Sequence, residues 1–228
     1  MKKFLTIAAF MLLTISSAYA VDGRMGVTLK AGYFEADEAS EIFSGAHSSG
    51  ASPGTVTKNA SAEGDVAEGE FGYGSIFAEV MVNEKFAVGV DYVPMALESE
   101  TTENTQTTTT SSDTGTNKVQ IDFEDLTTVY GLFFATENIY LKVGYMEVDV
   151  QTNESLATGG AYGNTTLEGY TVGLGYDHDM DSGVFVRLEA TYMDLEGATL
   201  TNANDSTKSV HADGIVGYGA GISIGRAF

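Results

Sequence analysis

Ser209, His211 and Asp213 stand two residues apart, the residue types of a serine–histidine–acid hydrolase. In an extended segment that spacing strings all three along one face. They are then too far apart for a proton relay, whose members come from several elements. Asp177, Asp179 and Asp181 open like a calcium-binding loop, but Gly183 comes one position late and Leu188 stands where the closing acid belongs. A weak attraction for cations is what that turn retains. His47, in a Gly/Ser stretch, and His178, in a turn, read as solvated. The chain has no cysteine, which excludes a disulfide scaffold, a thiolate metal site and a lipid-anchored N-terminal Cys. The expectation is therefore no catalytic residue, no metal site and no cofactor.

The chemistry that remains is charge. Against 11 basic residues stand 32 acidic ones, a formal charge of −21, so a basic patch for nucleic acid is excluded. Six charged residues nevertheless fall where local alternation makes them face inward. Lys30, Lys142 and Arg187 are positive; Glu79, Asp91 and Glu189 are negative. A balanced set of three and three inside a strongly acidic chain implies pairing.

The elements that would hold them are short runs of period two. In 24–34, Met25, Val27, Leu29, Ala31 and Tyr33 oppose Gly26, Thr28, Lys30 and Gly32. Residues 71–82 and 86–93 flank the turn Asn83-Glu84-Lys85 and read as a hairpin. Leu126, Thr128, Tyr130, Leu132 and Phe134 lead through Thr136-Glu137-Asn138 into Ile139, Leu141, Val143 and Tyr145, which oppose Tyr140, Lys142 and Gly144. Residues 168–176 and 183–193 flank a third turn, 178–182. In the last run, 214–228, Val216, Tyr218, Ala220, Ile222 and Ile224 oppose Gly217, Gly219, Gly221, Ser223 and Gly225. An apolar face against a face of glycine and serine suits a barrel wall with lipid outside and a crowded interior.

Eight strands result, joined alternately by three short turns and four long aperiodic segments, 36–70, 96–118, 151–165 and 196–213. The fold class predicted is all-β: an eight-stranded antiparallel up-and-down transmembrane β-barrel with short periplasmic turns and long extracellular loops. Runs of about 9–11 residues are the length a tilted strand needs to cross. The mean hydropathy of −0.02 fits faces that average out. Tyr33, Tyr92, Tyr145, Tyr170 and Tyr192 are expected at the loop-side ends of the lipid faces, and Phe86, Phe134, Tyr176 and Phe228 at the turn-side ends, as two aromatic girdles. Arg226 also falls on the lipid face, beside the periplasmic headgroups.

Residues 1–20 carry Lys2 and Lys3, a short apolar run and Ala18-Tyr19-Ala20, the pattern of a secretory signal cleaved before Val21. Residues 21–228 form one domain. Without the two leader lysines nine basic residues remain against 32 acids, a charge of −23.

The segments YTVGLGYDHDMDSGVFVRLEATYMDL (170–195), FAVGVDY (86–92) and IYLKVGY (139–145) resemble the strand–turn–strand units of small outer-membrane β-barrels. The resemblance is to the family that includes opacity-type surface proteins and the transmembrane domain of outer membrane protein A. It covers the whole chain after the leader and implies fold and an outer-membrane location. The departure is that no peptidoglycan-binding domain follows the barrel.

Within that frame Lys30, Glu79, Asp91, Lys142, Arg187 and Glu189 form an interior charge cluster. Tyr218, Ile222, Ile224 and Phe228 form a C-terminal assembly signal. The expected partners are outer-membrane lipids and the barrel-assembly machinery, with divalent cations at acidic loops and a monomeric barrel. The expected role is structural or surface-interacting and non-enzymatic, with an interior filled by side chains. A narrow channel for small solutes and a lipid-modifying enzyme are the alternatives.

Overall fold

The computed structural model describes residues 22–36, 39–43, 56–59, 67–107, 114–157 and 159–228. The expected signal peptide and cleavage site, His47 and the acids Asp37, Glu38, Glu63 and Asp65 lie outside them. Fourteen strands are present among the described residues: β1 (Gly23–Ala36), β2 (Ala39–Phe43), β3 (Val56–Asn59), β4 (Ala67–Asn83), β5 (Phe86–Tyr92), β6 (Leu97–Glu98), β7 (Thr102–Thr107), β8 (Thr114–Phe134), β9 (Ile139–Ser155), β10 (Thr165–Asp179), β11 (Val184–Leu195), β12 (Ala198–Thr201), β13 (Lys208–Ala212) and β14 (Ile215–Ala227). No helix occurs among the described residues.

Eight of these make the wall, in the antiparallel order β5-β4-β1-β14-β11-β10-β9-β8, and β8 pairs β5 to close the ring. The first and last strands pair from Arg24↔Ala227 to Ala36↔Ile215, so neither wall edge is left open. Phe228 N–H adds a bond to the Gly23 carbonyl at 2.9 Å.

The short turns form where a side chain replaces a missing backbone acceptor. Asn83 Oδ1 accepts from Lys85 N at 2.8 Å and Phe86 N at 3.0 Å. Thr136 Oγ1 does the same for Asn138 N and Ile139 N. The third turn is shorter than expected. β10 runs through Asp179, and Gly183 at φ 78° closes the reversal with Met180 N–H on the Val184 carbonyl.

The strands also run far past their expected ends on the loop side. β9 reaches Ser155, β8 begins at Thr114, β4 begins at Ala67, and β2, β3, β12 and β13 form a separate four-stranded sheet in order β12-β13-β2-β3. β9 shows why such a part reads as a loop: its apolar residues change face. In β9 the outward positions go from Ile139, Leu141, Val143 and Tyr145 to Glu147, Asp149 and Gln151. Over the same stretch the inward positions go from Tyr140, Lys142 and Gly144 to Met146, Val148 and Val150. A search for one continuous greasy face stops at Tyr145.

The barrel thus has two halves. The turn-side half is apolar outside: Leu29, Ile76, Val88, Leu141, Val143, Leu174, Leu188, Ile222 and Ile224 are all exposed. The loop-side half encloses an apolar core of Tyr73, Val93, Leu126, Met146, Val148, Val150, Leu167, Met193 and Leu195, with Phe34, Phe71, Ile121 and Phe123 packed against it. Asp125, at φ 56°, marks a shift of register between Glu124 and Thr127. This bulge brings Ile121 and Phe123 inward above it while Leu126 and Tyr130 face inward below.

One girdle residue must be corrected. Phe134 lies inside, buried against Tyr140 with ring centroids 5.7 Å apart, and Phe133 takes the outer face beside Phe86. The sequence Val129-Tyr130-Gly131-Leu132-Phe133-Phe134 is apolar on both faces, so period two could not assign it. Placing Tyr130 and Leu132 inside decided it.

Candidate functional site

The lower interior is built from positions that face inward on all eight wall strands. Arg187 on β11 is its centre. Its guanidinium donates to both oxygens of Glu79 on β4, Nη1 to Oε1 at 2.5 Å and Nη2 to Oε2 at 3.0 Å. It also donates to Asp177 Oδ2 on β10, from Nη2 at 2.8 Å and Nε at 3.1 Å. Arg24 on β1 shares Asp177 Oδ2 at 2.9 Å, donates to its Oδ1 at 3.3 Å, and reaches Asp179 at 2.5 Å. Tyr130 OH donates to Glu79 Oε1 at 2.7 Å. The result is one chain of contacts, Asp179–Arg24–Asp177–Arg187–Glu79–Tyr130, from the turn-side mouth into the barrel. Asp179 is exposed at that mouth, whereas Glu79, Asp177 and Arg187 are almost completely buried.

Two further pairs lie beside this chain. Lys30 Nζ meets Asp91 Oδ1 at 2.7 Å, and Ser75 Oγ donates to Asp91 Oδ2 at 2.8 Å. Lys142 Nζ meets Glu189 Oε1 at 2.9 Å, and Tyr140 OH donates to Glu189 Oε2 at 2.7 Å. All six residues expected inside are brought into these three groups, each acid against a base. Aromatic rings cover the cations: the Arg187 guanidinium lies 5.0–5.5 Å from the ring centres of Tyr140, Phe185 and Phe77, and Arg24 lies 4.0 Å from that of Phe185.

Glycine makes room for those rings. A Cβ on Gly175 would collide with the Tyr140 ring, and one on Gly225 with the Phe185 ring. That is the use of the glycine face of β14, with Ser223 in register with Arg187.

Arg24 and Asp177 complete the network, and neither was expected in it. Arg24 shares the parity of Thr28 and Lys30, which was a usable signal. Asp177 shares that of Thr171 and Gly175 but falls between the expected strand 168–176 and the expected turn 178–182. The weak cation attraction expected of Asp177, Asp179 and Asp181 loses Asp177, which points into the barrel between two arginines.

Tyr218, Ile222, Ile224 and Phe228 are exposed on the outer face of the barrel, as are Met25, Val27 and Leu29 of the adjoining β1. Tyr33, Tyr218 and Tyr192 are in register across β1, β14 and β11, and Tyr170 is in register with Tyr145. Hydroxyls of this girdle turn toward carboxylates one step further out: Tyr170 OH donates to Asp194 at 2.8 Å, and Tyr92 OH to Asp125. Arg226 is exposed at the turn-side end, where an outward charge costs only about 0–1 kcal/mol.

His211 is half exposed on β13. Asp213 lies 3.2 Å from Nε2 and Thr199, not Ser209, lies 2.9 Å from Nδ1, so the hydrolase spacing assembles no relay. Above the core, Tyr162 OH donates to Glu41 at 2.7 Å, and Asn202 Oδ1 accepts from Ala161 N at 3.3 Å. These contacts tie the segment between β9 and β10 to the four-stranded sheet. Burial, and then the bond to Glu41, hold the Tyr162 hydroxyl above its ordinary range.

Comparison with known proteins agrees with this architecture. The outer membrane protein beta-barrel domain family matches residues 5–223, and the chain belongs to that family, an outer-membrane one. The outer membrane protein OprG of Pseudomonas aeruginosa is similar in structure, with 13% identity, a TM-score of 0.53, and coverage of 91% of this chain and 97% of that one. Ail, the attachment invasion locus protein of Yersinia pestis, gives 8% identity, a TM-score of 0.45 and coverage of 90% and 99%. The outer membrane protease OmpT of Escherichia coli gives 10%, 0.38, and 93% and 99%. Curated protein sequences contain no match.

Proposed function

We propose that this member of the outer-membrane β-barrel family is a closed, non-conducting barrel with a structural or surface-interaction role. One observation carries the reading: the interior is filled twice over, by paired charges below and by an apolar core above. Eight strands leave an interior about wide enough for side chains alone. Arg24, Lys30, Lys142 and Arg187 are matched by Glu79, Asp91, Asp177 and Glu189, with hydrogen bonds from Ser75, Tyr130 and Tyr140. An ion entering from the turn side would have to separate these pairs and then cross hydrocarbon, where it has no ligands. The outer face meets lipid, the last strand serves assembly, and the barrel stands as a monomer within its own membrane, without catalysis. The carboxylates beyond the tyrosine girdle would gather divalent cations.

Planar-bilayer recording tests the seal. The wild-type barrel should give no discrete conductance steps. The second reading, a narrow channel, draws on the eight charges of the lower half. It would require stable steps that vanish on Arg187→Ala or Lys142→Ala. Turnover of lipid A or phospholipid that dies with His211→Ala would establish the enzymatic alternative instead.

A further inference from the structure

We propose that the arm formed by β7 and the start of β8 joins two copies of this chain in facing membranes by antiparallel β7–β7 pairing. The inference rests on the surface-interaction reading and names the partner.

β7 pairs β8 from Thr102↔Val119 to Thr107↔Thr114 and has no strand on its other edge among the described residues. β9 leaves β8 at Lys118↔Ser155, so the last four pairs of the arm have no third strand on either side among the described residues. Thr102, Glu103, Asn104 and Thr105 are exposed. A two-stranded ribbon with no apolar face is marginal by itself, and an open edge presents unpaired N–H and C=O groups. Natural edges are usually guarded by proline, lysine or an inward charge. Residues 102–107 hold no proline and no lysine, their single charge, Glu103, is paired with Lys118 on β8, and threonine favours the extended chain.

Charge explains why the occupant would be a second copy. Two chains of net charge −21 repel wherever their acidic surfaces meet. The arm is the exception, because residues 102–107 and 114–119 hold one acid and one base, Glu103 and Lys118, and these pair with each other. In a self-paired register with Thr105 opposite Thr105, Glu103 falls opposite Thr107 and no like charges meet.

The direction of the arm sets the arrangement. β7 runs outward beyond the wall, and β8 returns along it and enters the wall at its C-terminal end. Antiparallel self-pairing needs a two-fold axis perpendicular to the strands, an isologous contact. Such an axis turns the second barrel over, so its membrane lies opposite the first.

The test uses the full barrel in phosphatidylcholine vesicles, in two populations bearing donor and acceptor dyes, at about 0.15 M salt where exposed charges are screened beyond about 8 Å. Wild-type protein should cluster the populations and raise energy transfer. Thr105→Lys, which guards the edge without touching the barrel, should return it to the level of protein-free vesicles while heat-modifiable migration is unchanged. The chain has no cysteine, so Thr105→Cys should form a disulfide dimer between the two populations on oxidation. Absence of clustering, clustering unaffected by Thr105→Lys, or dimers formed only within one population would each overturn the proposal. Ion leakage from the same vesicles reads the seal independently: tight vesicles that fail to cluster sink this inference and leave the closed barrel standing.

Discussion

The turn-side half and the loop-side half of this barrel use the same strands and the same alternation with opposite chemistry. Below the tyrosine girdle the outer face is hydrocarbon and the inner face holds paired charges. Above it the outer face is acidic and the inner face holds methionine, valine and leucine. β9 makes the change within two residues, from Tyr145 outward to Met146 inward. The solvent explains it. In lipid the hydrophobic effect gives the interior no advantage, so polar groups collect inside where they can pair. In water apolar groups are the ones driven inward. The interior charges are therefore a property of the membrane half, and the apolar core is an ordinary soluble one.

The contrast can be broken at its most buried point first. Arg187→Ala leaves Glu79 and Asp177 without their central partner and should destabilise the folded barrel by on the order of 3–5 kcal/mol, measured by urea unfolding in lipid. Replacing Arg187, Glu79 and Asp177 together by apolar residues of similar volume should recover most of that loss. If the triple variant unfolds as readily as Arg187→Ala, the pairing is needed for more than charge neutrality.

A second pair of variants sharpens the boundary on one strand and one face. Leu141→Arg faces lipid and should cost about 2–4 kcal/mol. Asp149→Arg, four outward positions further along β9, faces water and should change stability by no more than about 0.5 kcal/mol. Equal costs at the two sites would mean that lipid reaches past the girdle.

The smallest effect belongs to the contact between Tyr162 and Glu41 above the core. The Tyr162 hydroxyl titrates above the ordinary value of 10.0 in the folded chain. A raised folded value means the contact contributes fully below pH 10 and is lost as pH climbs through the folded value. Protease nicking of the segment between β9 and β10 should thus stay constant from neutral pH to about 10 and rise above it. In Tyr162→Phe the rise should disappear.

Much of the wall was readable before any coordinates, because alternation is local. Ile139, Leu141 and Val143 identify their outward face without knowledge of any neighbour. Lys142 and Arg187 could be placed inside for the same reason. Where local signals fail, reading fails with them. Phe134 sits in a stretch apolar on both faces, Asp177 falls between a glycine-rich strand and what looked like a turn, and residues 147–155 exchange their faces.

The amino-acid sequence by itself determined an eight-stranded wall, its lipid face, its outer-membrane setting and a balanced set of inward charges. These follow from a period of two and from the cost of charge in hydrocarbon, which act residue by residue. Only the tertiary structure decided which charges meet. Arg187 finds Glu79 across 108 positions and shares Asp177 with Arg24 across the closed ring. Those partners depend on register and on closure of β1 against β14, which bring distant strands to one level of the barrel. The reversal of polarity above Tyr145 was likewise visible only once β8 and β9 were seen to continue past the membrane.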